Sequence, residues 1–316
     1  NFSKTAERRW EMMKKFNLLF IFGMIFFTSF SEVDKNFKPK SVYETYDTLT
    51  SIYNTNFATT ATVNLTNNNE AYTLDSNSAY SGYFIDYYKD GLVKSIKAFN
   101  NGRLNGDSYF YGSDGALSKL VTFKAGSKNG GETEYYKDGS PKSYKTYKND
   151  VQDGIEYNYN ENGLLTSIFT YKYGIKNGES LKFSEGILTE KEVYTNNRLE
   201  GNASAFYTNG KVKSAGKFKD DFRDGKWSWY YPDGELKLIE TYVKGKVIGD
   251  IKGYFPDGSV ERNLSLVNGN GDFVQYYDNG IMKAKGQFAN YSAAGEWFFY
   301  DKNGNLTTTD FFSSNY

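Results

Sequence analysis

The chain has 316 residues, no cysteine and no histidine, and its 38 basic and 38 acidic side chains cancel to a formal charge of zero. That excludes a disulfide framework, a thiolate nucleophile, a Ser-His-Asp triad, the usual zinc sites and a histidine pH switch, and a chain without a basic footprint is a poor partner for nucleic acid. Aromatic residues make up 18% of the chain, and there are 31 glycines against 4 prolines, a texture of short strands and tight turns.

In chain order, residues 1–11 precede Met12 and Met13 and fit no part of a targeting signal; they read as a non-native leader. Residues 12–31 read as a secretory signal peptide: Lys14 and Lys15, then ten apolar residues at 18–27, then the small Ser29 and Ser31. An apolar run of ten is too short to cross a bilayer, which takes about 20 residues. The expected location is therefore exported: periplasm, outer surface or medium. Membrane contact is expected only through this segment, where it stays uncleaved. Without residues 1–31 the chain carries 33 basic and 36 acidic side chains, a net of −3, too little for attraction to a lipid surface. Residues 32–81 are rich in Asn, Thr, Ser and Tyr; they read as an N-terminal cap over the first strand edge or as a linker, and the Asn67-Asn68-Asn69 run as a degenerate turn.

From residue 82 to 316 one motif is written ten times. Its opening glycines are Gly82, Gly106, Gly130, Gly154, Gly178, Gly201, Gly225, Gly249, Gly271 and Gly295, about 24 residues apart. A second glycine follows nine residues later (Gly91, Gly115, Gly139 and onward), or eight later at Gly186 in the fifth unit. Asp or Asn precedes that turn glycine in nine units, and Glu185 in the other. The sixth position is aromatic in all ten, from Tyr87 to Tyr300. The second residue after the turn glycine is mostly aliphatic (Val93, Leu117, Leu165), and the eighth is aromatic in nine units (Phe99, Phe123, Tyr147), with Leu266 in the other. Asp-Gly and Asn-Gly signal hairpin turns. The even spacing of the second and eighth residues predicts one shared strand face, and the opening glycine is expected at the reverse turn into the next hairpin. The fold class that follows is all-β: an elongated repeat ribbon of about ten stacked antiparallel β-hairpins, with about twenty strands.

Carboxylates are the main acid–base groups left. Asp90, Asp114, Asp138, Asp233 and Asp257 all sit at turns, where Asp bonds its own backbone, so no catalytic, metal or cofactor residue is assigned and no enzyme activity is expected. The better candidates are the residues after the ladder aromatic: Tyr88, Tyr136, Tyr207, Tyr231, Phe255 and Tyr277. Strand alternation predicts them on the face opposite the ladder. Trp227, Trp229 and Trp297 add larger rings. Together they form a candidate partner-binding stripe, since exposed Tyr and Trp on a rigid sheet make good anchors.

Units such as GGETEYYKDGSPKSYKTYKNDVQDG (130–154) and GKWSWYYPDGELKLIETYVKGKVIG (225–249) resemble MORN repeats, and more closely the bacterial MORN variant of YwqK-type antitoxin proteins, over about residues 82–312. The resemblance implies a hairpin ribbon without catalytic residues, used as a scaffold or interaction surface. The antitoxin role it also implies is cytoplasmic, and the export signal departs from that. The function expected is thus an exported bacterial scaffold that binds another protein without cofactors. The alternatives are an antitoxin-type component, or a carbohydrate or cell-wall glycan binder. The last rests on GEWFFYDKNGNL (295–306), which looks like choline- or glucan-binding repeats, although those lean on Trp in most units and this chain does not.

Overall fold

A computed structural model describes residues 34–39, 57–58 and 62–313; the leader and signal readings lie outside the described residues. The chain divides into Asn1–Phe37 and Lys38–Tyr316. In the first unit residues 34–37 form a turn, with the Asn36 N–H donating to the Asp34 carboxylate at 2.9 Å. All strands belong to the second unit.

The described residues form no helix. They build one open 24-stranded sheet and a separate two-stranded hairpin. Twenty strands of the large sheet are the ten hairpins, each strand antiparallel to the next, from Gly82–Tyr87 through to Leu306–Phe312. The all-β repeat ribbon is what the glycine period dictates.

Two kinds of turn alternate. Within a unit the loop has three residues. The Tyr136 N–H donates to the Ser140 carbonyl at 2.8 Å, the Gly139 N–H donates back to the Tyr136 carbonyl at 3.0 Å, and Gly139 has φ 83°. This is a type I turn closed by a left-handed glycine. The acid before the glycine contributes a side-chain bond, not a positive φ: the Ser140 N–H donates to the Asp138 carboxylate at 2.9 Å. The fifth unit is one residue shorter because it uses a two-residue turn, with Glu185 at φ 49° and Gly186 at 77°.

Between units the turn also has two residues, both left-handed, such as Asn149 (49°) and Asp150 (67°). The opening glycine is therefore not the reverse turn, as the spacing led us to expect. Gly154 lies inside the strand Val151–Tyr159, with φ 111°, where the ladder slips between Lys145 and Tyr147. Thr146 occupies the space a Gly154 side chain would need and donates its hydroxyl to the Asp153 carbonyl at 2.8 Å. The glycine serves a β-bulge with close backbone approach.

A second bulge corrects the face assignment. Asn158 pairs with Ser167 and Tyr159 with Leu165, so Thr166 is left unopposed. One extra residue reverses the alternation, and the second and eighth residues after the turn glycine fall on opposite faces. Val93 accordingly packs with Ile85, Ile96 and Tyr109, whereas Phe99 packs with Phe84 and Leu104.

On the first of these faces a cross-strand row runs in unbroken register through Ile85, Ile96, Tyr109, Leu120, Thr133, Tyr144, Tyr157, Ile168 and Leu181. Ile96 and Ile168 are fully buried, and such a side chain stabilises the fold by roughly 1.5–3 kcal/mol. At the first edge Phe57–Ala58 pair in parallel with Gly82–Tyr87. The hairpin Val63–Leu65 and Ala71–Thr73 turns through Asn67-Asn68-Asn69, with Asn69 at φ 56° in the glycine position of the repeat's own loop. Ala58, Val63 and Ala71 pack on Phe84 and Phe99.

Candidate interaction surface

The position-seven residues directly precede the three-residue loop, because the strand ends at position six; strand alternation does not reach them. The hydroxyls of Tyr88, Tyr136, Tyr207, Tyr231 and Tyr277 donate to the carbonyls of Tyr111, Tyr159, Tyr230, Tyr254 and Tyr300, at 2.7–2.9 Å. Each bond joins a turn to the next unit's turn, and each stabilises by about 0.5–1.5 kcal/mol. Lysine ammonium groups lie over four of these rings, for example Lys237 over Tyr231 at 5.3 Å. These tyrosines and Phe255 are half-buried, where an exposed row was expected.

The tryptophans differ more. Trp227 and Trp297 are buried, 3% and 8% exposed. Their indoles lie over Gly216 and Gly286, where any Cβ would overlap the ring. Both glycines fall at ladder slips, which open a slot in the neighbouring strand that the indole fills. Trp227 donates its Nε1–H to the Lys217 carbonyl at 3.0 Å and meets Phe218 edge-on at 5.2 Å. Trp229 is half-buried beside it, with the Arg223 guanidinium 4.8 Å from the Trp227 ring, 5.6 Å from Trp229 and 5.7 Å from Tyr242. Trp227 and Trp229 thus share one aromatic cluster, apart from the loop tyrosines.

The same face is polar in units three to five. Glu132 is buried and paired with Lys128, and Lys119 pairs with Glu134 at 3.2 Å. Burial, reinforced by the Glu132 and Glu156 carboxylates, pushes the Tyr147 phenol up to about 12. Burial and Glu156 do the same to Tyr171. A phenol whose folded pKa is raised contributes stability that is whole below its unfolded value near 10 and lost as pH rises toward 12. The melting temperature is therefore expected to fall across that interval. A Tyr147→Phe/Tyr171→Phe variant should fall less steeply, as followed by circular dichroism.

The reverse-turn edge was missed in the sequence because the opening glycines were placed at its turns. Val151, Tyr173, Phe222, Val243, Val267 and Tyr291 stand exposed at six of the nine tips, the Asn196-Asn197 tip between Tyr173 and Phe222 being polar, with Tyr173 exposed by 75% and Val267 by 72%. Tyr173 (φ 53°) and Tyr291 (φ 66°) are themselves central turn residues, a conformation that bulky side chains adopt only at a cost of order 1–3 kcal/mol. Phe222 lies alongside Gly245 of the next tip, and Tyr291 alongside Gly269 of the previous one. Both aromatics stand outside the core. The signal for this edge was present, as Tyr-Gly and Asn-Tyr in the slot about five residues before an opening glycine.

Three stretches of the chain, 199–220, 223–244 and 270–290, match the family model for the MORN repeat variant; they correspond to units six, seven and nine. No curated protein matches the chain. Among solved structures, the crystal structure of TcdB2-TccC3-TEV aligns over 74% of this chain and 17% of its own, at 14% identity and a TM-score of 0.18. The crystal structure of TcdB2-TccC3 without hypervariable C-terminal region aligns over 77% and 16%, at 12% identity and 0.20. The chain spans less than a fifth of the length of either.

Proposed function

We propose that this chain is a non-enzymatic repeat scaffold that binds another protein through the reverse-turn edge of its sheet. The observation that carries the reading is the row of exposed apolar tips, two of them aromatic and held in strained turns. The MORN-variant match of units six, seven and nine supports a repeat module. A sheet whose turns are tied together presents its anchors with little ordering cost on binding. The nine-residue stripe lies outside this reading: its tyrosines and Phe255 sit beside the inner loops, at the other ends of the strands, and Trp227 and Trp297 are buried. Export through residues 12–31 is part of the proposal and rests on the sequence alone. An antitoxin-type role rests only on the resemblance to YwqK-type proteins.

The test is capture of a partner from the source cells by residues 32–316, against a Tyr173→Ser/Phe222→Ser/Tyr291→Gly variant. The wild type is expected to retain a partner that the variant binds about tenfold or more weakly, in line with hot-spot anchors. The variant's circular dichroism should be unchanged, since all three side chains are exposed. Equal retention by both chains would sink the assignment of this edge.

A further inference from the structure

The cross-strand row from Ile85 to Leu181, apolar there but for Thr133, turns polar beyond it, through Lys191, Ser204, Ala215 and Ser228. Across units seven to nine it reads Ile239, Lys252, Asn263, Val274 and Lys285, still in register. Lys252 and Asn263 stand directly opposite each other, where units one and four have Ile85 with Ile96 and Tyr157 with Ile168. Unit eight spans only 22 residues from opening glycine to opening glycine. Its strands, Ile251–Tyr254 and Val260–Leu264, are four and five residues long, so they bring fewer side chains to cover the sheet. A hollow of about 530 Å³ opens there, lined by Lys252 and Asn263 together with Tyr254, Val260, Val274 and Tyr276.

The hollow is chemically one-sided. Among the described residues, neither the Lys252 ammonium nor the Asn263 amide has a hydrogen bond or ion pair. The acids closest in sequence each accept a hydrogen bond: Asp250 from Ser265 at 2.5 Å, Asp272 from Gln287 at 3.0 Å, Glu261 from Arg262 at 2.8 Å, and Asp257 from Ser259 of the hollow's own lining at 2.6 Å. An ammonium and an amide that can both donate match a carboxylate. Tyrosine and valine walls suit the apolar face of a sugar ring. Lys285 stands three strands from Lys252 in the same row, roughly 14 Å away at the usual strand spacing, within reach of a second carboxylate further along a chain.

We infer that this hollow binds an acidic oligosaccharide, with one carboxylate on Lys252 and Asn263, its ring against Tyr254 and Tyr276, and a later carboxylate at Lys285. The site is separate from the reverse-turn edge and does not depend on the protein-binding proposal.

The probe is trigalacturonate, titrated calorimetrically into the full chain beside a neutral trisaccharide and a peptide with a free C-terminal carboxylate. Trigalacturonate is expected to bind at least about tenfold more tightly than either. Lys252→Ile and Asn263→Leu introduce an apolar pair like those of units one, two and four. Each should lose about tenfold or more in affinity while melting no lower than the wild type. Lys285→Met, at an exposed position where the ammonium lies over the Phe298 ring at 5.0 Å, should weaken trigalacturonate and leave galacturonic acid unaffected. No binding of trigalacturonate by the wild type would overturn the inference. So would equal binding by the Lys252→Ile chain, or tighter binding of the peptide.

Discussion

Trp227→Ala is expected to cost about 3–5 kcal/mol, the largest loss from any single side-chain truncation in the repeats. Trp227 is 3% exposed, and its indole fills a slot that only Gly216 leaves open. The ring also holds the cluster of Phe218, Trp229 and Tyr242 together, and it satisfies the Lys217 carbonyl. The cavity left behind cannot close, because its floor is strand backbone already committed to a ladder on both sides. In a linear repeat stack each unit contacts only its neighbours, so the loss should be local. Hydrogen exchange should accelerate in Val212–Lys219 and Phe222–Tyr230 and stay unchanged in Gly82–Tyr87. A loss below about 1 kcal/mol in chemical denaturation would mean that the indole is not in the core. Gly216→Val should reproduce the effect from the other side, by expelling the ring.

The second large effect is expected at an opening glycine. Gly154→Ala should destabilise by about 2 kcal/mol or more, since φ 111° is a region L-residues rarely adopt and the new methyl overlaps the Thr146 hydroxyl. The comparison that isolates the cause is Gly163→Ala at a loop. There φ is 72° and nothing lies within 4 Å of the new methyl, so about 1 kcal/mol of backbone strain is all that is expected. A Thr146→Ala/Gly154→Ala chain should recover the part due to overlap and keep the part due to φ. Equal midpoints for the Gly154→Ala and Gly163→Ala chains in urea would show that the two glycine classes do the same job.

These two sites mark where reading the sequence stopped short. The repeat, its length and its hairpins were legible, because glycine and the residue before it recur at fixed intervals. The shorter fifth unit was visible as a spacing of eight, although only the dihedrals of Glu185 and Gly186 showed it to be a two-residue turn. The opening glycine was conspicuous but its role was misread, since a bulge and a turn ask for the same residue. The bulge at Thr166 leaves no compositional trace, and it alone separates Leu165 from Tyr171 across the sheet. The tyrosine staples were invisible for another reason: their acceptors are backbone carbonyls 23 residues away, which carry no residue identity.

For the candidate surfaces the division is similar. Trp227 and Trp297 looked like exposed anchors because aromatic content does not record which side of a strand has room. The structure places both indoles in slots made by glycines on the neighbouring strand. Tyr173 and Tyr291, not singled out in the sequence, sit at turn tips.

By itself the sequence determined that the repeats are all-β, that ten hairpins follow one another, and which residues make their inner turns, because turn chemistry and strand periodicity are local and repeat with the chain. The tertiary structure decided which face each aromatic joins, which rings are core and which edge is left apolar. Those outcomes depend on single-residue bulges and on the space a neighbouring strand leaves, and both arise only when the strands are paired.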